Sequence, residues 1–93
     1  MNQYGHMAMR HWRKYRPEQY AKITDPETFF TNLGEQISQE IAELAAQLEG
    51  TPPDGEGFLA RIGRLNTARA RAQEQILRET LPDSEEPEPD QPA

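Results

Sequence analysis

The residues that could carry chemistry are few, and their spacing does not assemble a catalytic or metal site. The chain has no cysteine, so it can form no disulfide, thiolate zinc site or cysteine nucleophile. His6 and His11 stand five residues apart and do not share a helical face, as the four-residue spacing of paired zinc ligands requires. Gly55-Glu56-Gly57 has the composition of a turn, not of a phosphate-binding loop. These patterns predict a protein that is not an enzyme and that uses no cofactor or metal.

Bases and aromatic side chains alternate between residues 10 and 16. Lysine and arginine can neutralise phosphates there, and Trp12 and Tyr15 could stack on unpaired bases. The candidate residues for binding a nucleic acid or another partner are Arg10, Arg13, Lys14, Arg16, Arg61, Arg64 and Arg71. Against DNA binding, the net charge of the chain is −6, and the aromatic side chains are also needed for a core.

Charge is strongly segregated along the chain. Residues 1–23 carry five bases and one acid, residues 24–57 carry eight acids and no base, and residues 58–81 carry five bases and two acids. An acidic helix lying beside two basic helices would explain this pattern within one molecule. Two functional explanations stay open beside it: a basic face that meets a polyanion, or an acidic helix that imitates one.

Hydrophobic periodicity and helix-breaking residues predict the secondary structure. The spacing predicts a first helix over 4–16, ended by a proline, a short second segment over 17–23, and two long helices over 26–49 and 57–81. The segment 51–57, with two prolines and two glycines, is a loop. Because a short loop makes its flanking helices antiparallel neighbours, the two long helices should form a hairpin.

The predicted fold is therefore all-α, a long antiparallel helical hairpin with the N-terminal helix packed across it, like a three-helix bundle. We expect residues 1–81 to form one domain and the acidic, proline-rich residues 82–93 to be a disordered tail. Thr24 or Asp25 can cap the long helix that begins at Pro26. Gly34, in the middle of that helix, suggests the close approach of another helix or of an aromatic ring, and Trp12 is the candidate for that ring.

A polar interruption of the last helix organises the predicted packing. The apolar face predicted for this helix contains Phe58, Ile62, Leu65, Ala72 and Ile76. Arg69 lies in the middle of that face and Asn66 at its edge, and a buried guanidinium is costly unless a carboxylate meets it. We expect Glu40 or Glu43 of the facing helix to pair with Arg69 and, with Asn66, to fix the register. Alternatively, Arg69 receives a phosphate or carboxylate from a partner.

No apolar run approaches the length of a membrane span, and the N-terminal residues lack the apolar region of a signal peptide. With no cysteine, the composition fits a reducing compartment. The sequence therefore predicts a soluble cytoplasmic protein without a membrane partner.

Two segments resemble the TnpV family of small transposon-encoded proteins. The N-terminal match consists of Tyr4-Gly5, Met7, Trp12, Arg16-Pro17 and Tyr20. The C-terminal match is Ile62-Gly63-Arg64-Leu65-Asn66 followed, without a gap, by Arg69-Ala70-Arg71-Ala72, Glu74, Ile76-Leu77 and Glu79. The family often has a longer and more apolar connection where this chain has residues 51–57, and the acidic tail is not part of its pattern.

The resemblance implies an accessory protein of transposons and integrative elements, and it brings no catalytic residues. Our first hypothesis is a non-enzymatic protein of a mobile genetic element that binds a protein partner such as a recombinase. The second is an excisionase-like DNA-binding factor, and the third is an inhibitor of a host nucleic-acid enzyme whose acidic helix mimics DNA. A homodimer is a further expectation, because three helices of unequal length leave an apolar strip uncovered.

Overall fold

The computed structural model describes residues 1–82, and these form an all-α fold. The four helices are α1 (Gln3–Tyr15), α2 (Pro17–Ala21), α3 (Pro26–Glu49) and α4 (Phe58–Thr80). The all-α prediction is confirmed, and each predicted helix begins and ends within two residues of the observed one. No described helix is both long and apolar enough to cross a membrane. Apart from Pro82, the segment predicted to be a disordered tail lies outside the described residues.

Side-chain caps fix where the helices begin. The Asn2 side chain accepts a hydrogen bond from the Gly5 amide (2.9 Å) and so caps α1. Of the two candidate caps for α3, Asp25 is the one used: its carboxylate accepts hydrogen bonds from the Thr28 hydroxyl (2.8 Å) and the Thr28 amide (3.3 Å). These bonds hold the pKa of Asp25 below its usual value, because they stabilise the charged carboxylate.

Helices α3 and α4 pack antiparallel, as the short loop between them predicts. Ile37, Ile41 and Ala45 of α3 form one buried cluster with Ala72 of α4, and Ala68, one turn earlier in α4, is buried as well. The small residues let the two backbones approach closely, and the partly buried Ile76 and Leu77 complete the contact at the far end of α4.

Helix α1 crosses α3 at a pair of glycines. The Asn2 amide group donates a hydrogen bond to the Gly34 carbonyl (3.0 Å), and a Cβ atom built on Gly34 would lie 2.5 Å from the Gly5 amide nitrogen. The predicted close approach at Gly34 is thus confirmed, and of the two alternatives it is another helix, not the Trp12 ring, that makes it. The backbone of α1 itself meets Gly34, which excludes any larger side chain there.

Trp12 instead joins an aromatic cluster where α1, α2 and the start of α3 meet. Its ring lies edge-on to Phe29 and Phe30, with centroid distances of 5.3 and 5.7 Å, and Tyr20 of α2 stacks on Phe30 at 5.9 Å. Tyr4, near the other end of α1, is buried in the core and donates a hydrogen bond from its hydroxyl to Gln73 of α4 (3.3 Å). Helix α1 is therefore held at both ends.

Candidate functional site

Arg64 and Glu56 form an ion pair that is largely shielded from solvent. Arg64 Nε lies 2.7 Å and Nη2 3.0 Å from the two Glu56 carboxylate oxygens, and Nη1 donates to the Glu49 carbonyl at 2.9 Å. The side chains are only 21% and 8% exposed. The hydrogen bonds from Arg64 hold the pKa of Glu56 below its usual value, and those to Glu56 raise the pKa of Arg64. The pair therefore ties the loop and the end of α3 to α4.

The structural arginine of α4 is Arg64, and the prediction that Arg69 has this role is wrong. Arg69 is exposed, and within residues 1–82 it forms no ion pair with Glu40 or Glu43. Glu40 accepts a hydrogen bond from Gln36 (3.2 Å), and Glu43 accepts one from Gln39 (3.3 Å) of the same helix.

Asn66 is exposed as well, so the predicted polar core of Asn66, Arg69, Glu40 and Glu43 is not formed. Both Asn66 and Arg69 lie off the side of α4 that packs against α3. The side chains that face α3 are Ala68 and Ala72, whereas the larger apolar side chains at the start of α4 point to solvent. The predicted apolar face included Ala72, which is buried, but it missed Ala68.

Three of the predicted cationic binding residues lie on aromatic rings of their own chain. The guanidinium of Arg13 lies 5.4 Å from the Tyr20 ring centroid, and its Nε donates to the Tyr20 hydroxyl at 3.2 Å. The Lys14 ammonium lies 5.1 Å from the Tyr15 ring centroid. Arg16, half-buried, lies 5.1 Å from the Trp12 ring centroid. Each such contact contributes about 0.5–1 kcal/mol at an exposed site, so these cations help to fix the junction of α1 and α2.

The seven candidate cations do not form one continuous basic face. Those of α1 lie near the start of α3, since Trp12 contacts Phe29 and Phe30. Arg64 contacts the last turn of α3 at Glu49, which is nineteen residues or roughly 28 Å further along that helix. Arg10, Arg61 and Arg71 are exposed, but Arg64 is already paired. The geometry gives little support to a single DNA-binding surface built from all seven.

No group of three or more metal-ligating side chains comes together within residues 1–82. His11, a residue type that could bind a metal, makes structural contacts within the chain. Its Nε2 atom lies at hydrogen-bond distance from the Pro82 carbonyl oxygen, and its ring packs on Tyr15 at 4.9 Å. Its Nδ1 atom is buried without a hydrogen-bond partner in the described part of the chain. His11 thus joins α1 to the residues that follow α4.

The most unusual surface of the molecule lies at the start of α4. Phe58, Leu59 and Ile62 are 73%, 82% and 41% exposed, and we call these three side chains the α4 patch. All six residues from 58 to 63 are exposed, and burial in α4 begins only at Arg64 and Leu65. Because Arg64 already reaches the last turn of α3, the first turns of α4 have no facing turn of α3 to cover them.

The α4 patch was missed as a site because its residues were interpreted as core. Phe58 and Ile62 lie on the face that was predicted to pack inward, and they are exposed instead. Leu59 lies off the predicted apolar face, and it is the most exposed of the three.

Comparison with family models, curated proteins and solved structures finds no match. The resemblance to the TnpV family therefore stays a prediction.

Proposed function

We propose that this chain is a non-enzymatic accessory protein of a mobile genetic element, and that it works by binding a protein partner through the α4 patch. The observation that carries the proposal is the exposure of Phe58 and Leu59, 73% and 82%, on consecutive residues of a regular helix. The mobile-element setting comes from the resemblance to TnpV proteins alone, which also suggests a recombinase of the element as the partner class.

The α4 patch is costly unless a partner covers it. Burying a phenylalanine, leucine or isoleucine side chain stabilises a protein or complex by about 1.5–3 kcal/mol, and here three such side chains are adjacent and open to water. Contiguous exposed apolar surface of this kind marks interaction sites in folded proteins. Only 34% of the residues are hydrophobic, so the chain exposes at this site apolar side chains that its small core could have used.

The charges around the patch limit the kind of partner that fits it. Arg61 is exposed within the same turns of α4, and Arg69 lies seven residues after Ile62 on the same helical face. A partner surface that is apolar in the centre and carries carboxylates at its rim would complement both features.

Affinity capture with the full chain tests this proposal. The tagged wild-type protein and a Phe58→Asp variant should be expressed in cells that carry the element and its recombinase. We expect the recombinase to be captured with the wild type and lost with Phe58→Asp, because a carboxylate at the patch opposes burial. Thr67→Asp, which places the same charge at an exposed position off the patch, should retain the partner. Equal capture by all three proteins would contradict the proposal.

A further inference from the structure

We infer that the α4 patch of one chain also binds the α4 patch of a second copy of the chain. The contact would be an antiparallel, two-fold pairing of the first turns of two α4 helices, centred on Ile62. This inference rests on the proposed function, because it assigns an occupant to the same surface.

Helical spacing places the relevant side chains in one line. Phe58 precedes Ile62 by four residues and Arg69 follows it by seven, so all three lie on one face of α4. All three are exposed. In an antiparallel pairing centred on Ile62, each Ile62 meets its own equivalent, and each Phe58 lies beside Asn66 of the second copy. Each Leu59 lies beside Leu65 of the second copy, so the contact is apolar at Ile62 and Leu59 and polar on one side of Phe58.

The charges on the two sides of the apolar segment are opposite in sign. The loop before α4 contains two charged residues, Asp54 and Glu56, and both are acids. After Ile62, the exposed charged side chains of the next three turns are Arg69 and Arg71. Since Glu56 is paired with Arg64, Asp54 is the exposed acid that remains at this end of the helix.

This arrangement favours the antiparallel pairing over the parallel one. Ile62 and Arg69 are separated by about 10.5 Å along the axis, and α4 begins about 6 Å on the other side of Ile62, with Asp54 in the loop beyond. Turning a second copy around Ile62 therefore brings each Arg69 toward the Asp54 of the other copy. A parallel pairing would place arginine against arginine and acid against acid, which is unfavourable.

The same pattern explains why Arg69 interrupts an apolar face. A guanidinium on a face that packs against another helix needs a carboxylate opposite it. Within the described chain that carboxylate is not present, since Glu40 and Glu43 are bonded to glutamines of α3. In the dimer, Asp54 of the second copy supplies it.

The size of the patch sets the strength of the contact. Stable interfaces bury about 1,200–2,000 Å² in total, and three large side chains from each copy fall below this range. The structure therefore points to a weak, reversible dimer, with a dissociation constant on the order of 10–100 µM. Such a dimer would dissociate when a tighter partner binds the same patch.

Disulfide trapping tests the geometry directly, because the natural chain has no cysteine. In Ile62→Cys, the two introduced thiols lie opposite each other across the two-fold axis, and under mild oxidation we expect a disulfide-linked dimer. It should form at least about tenfold faster than in Thr67→Cys, because the dimer raises the effective thiol concentration. Adding Phe58→Asp to Ile62→Cys should remove the difference. Equal rates for Ile62→Cys and Thr67→Cys would overturn the inference.

A charge exchange tests the orientation. Arg69→Glu should weaken self-association by roughly threefold or more in light scattering, since an attractive pair becomes repulsive at two symmetric places. Asp54→Arg should weaken it similarly, and the double variant Asp54→Arg/Arg69→Glu should restore it. A double variant that stays as weak as the single variants would overturn the antiparallel pairing.

The two proposals fail in distinguishable ways. If the wild type stays monomeric at about 500 µM while Phe58→Asp still abolishes capture of the recombinase, the dimer is wrong and the docking function stands. If Phe58→Asp changes neither capture nor self-association, both are wrong.

Discussion

The two halves of the helical hairpin use the same residue types in opposite ways. In the half crossed by α1, Phe30 is fully buried and Gly34 meets the backbone of α1 so closely that no side chain fits. In the other half, Phe58 is 73% exposed, and a Cβ atom built on Gly63 would meet nothing within 4 Å. The comparison shows that the position of a residue in the sequence sets which face of its helix it occupies. Whether that face is buried depends on whether a third helix covers it.

The lengths of the helices explain the difference. Helix α1 has 13 residues and α3 has 24, which correspond to about 20 and 36 Å. A helix of that length can cover only about half of the hairpin, and the glycine crossing places α1 over the half that contains the start of α3. The start of α4 is left uncovered by α1.

The largest predicted effect separates the two phenylalanines. Phe30→Ala should lower the free energy of unfolding by about 3–5 kcal/mol, because it leaves a cavity in the aromatic cluster. Phe58→Ala should change it by less than about 0.5 kcal/mol, because that ring already lies in water. Urea unfolding at low micromolar protein concentration measures both. Similar losses for the two variants would show that the start of α4 is packed after all.

The two glycines should respond to alanine with opposite signs. Gly34→Ala should cost about 1–3 kcal/mol, because the added methyl group would lie 2.5 Å from the Gly5 nitrogen and 2.8 Å from its Cα atom. Gly63→Ala should stabilise the protein by about 0.5–1 kcal/mol, since alanine favours the helix and nothing opposes its side chain. Thermal unfolding of the two variants checks the prediction. A destabilising Gly63→Ala would mean that a neighbour occupies that surface.

The ion pair between Arg64 and Glu56, in the half that α1 leaves uncovered, predicts a smaller, pH-dependent effect. Arg64 lowers the pKa of Glu56 below its usual value of 4.5 in the folded state, so the pair stabilises the protein fully above that value. The stabilisation is lost as the pH falls through the lower, folded-state pKa. Glu56→Gln should therefore be less stable than the wild type at pH 7, and the difference should shrink below about pH 4.5 in unfolding curves. A difference that grows with acid would contradict this assignment.

Local signals made the helix boundaries predictable. Asp25 and Pro26 mark the start of α3, and Gly50, with a φ of 63°, ends it in a conformation that glycine adopts readily. These features depend on neighbouring residues alone, so sequence carries them.

The packing face of α4 was less predictable. Hydrophobic periodicity places Phe58, Ile62 and Ala72 on one face and passes over Ala68, because large side chains dominate the pattern. Close antiparallel packing against α3 selects the small residues instead.

The Arg64–Glu56 pair could not be predicted for a related reason. Glu56 lies in the loop, where helical spacing gives no relation to Arg64, and eight residues separate the two. The sequence favours Arg69 as the structural arginine because it interrupts an apolar face, but Arg69 itself is exposed, as are Phe58 and Ile62 at the start of that face. Arg69 can act as a pairing residue on a packed face only if another molecule covers that face.

Sedimentation velocity of the wild type and of Phe58→Asp, over a concentration range from about 5 to 500 µM, tests the central claim most directly. We predict that the wild type shifts from monomer toward dimer across this range, that Phe58→Asp stays monomeric, and that both have the same unfolding midpoint at the lowest concentration. A wild type that sediments as a monomer throughout, or a Phe58→Asp variant that dimerises equally well, would contradict the dimer contact assigned to the start of α4.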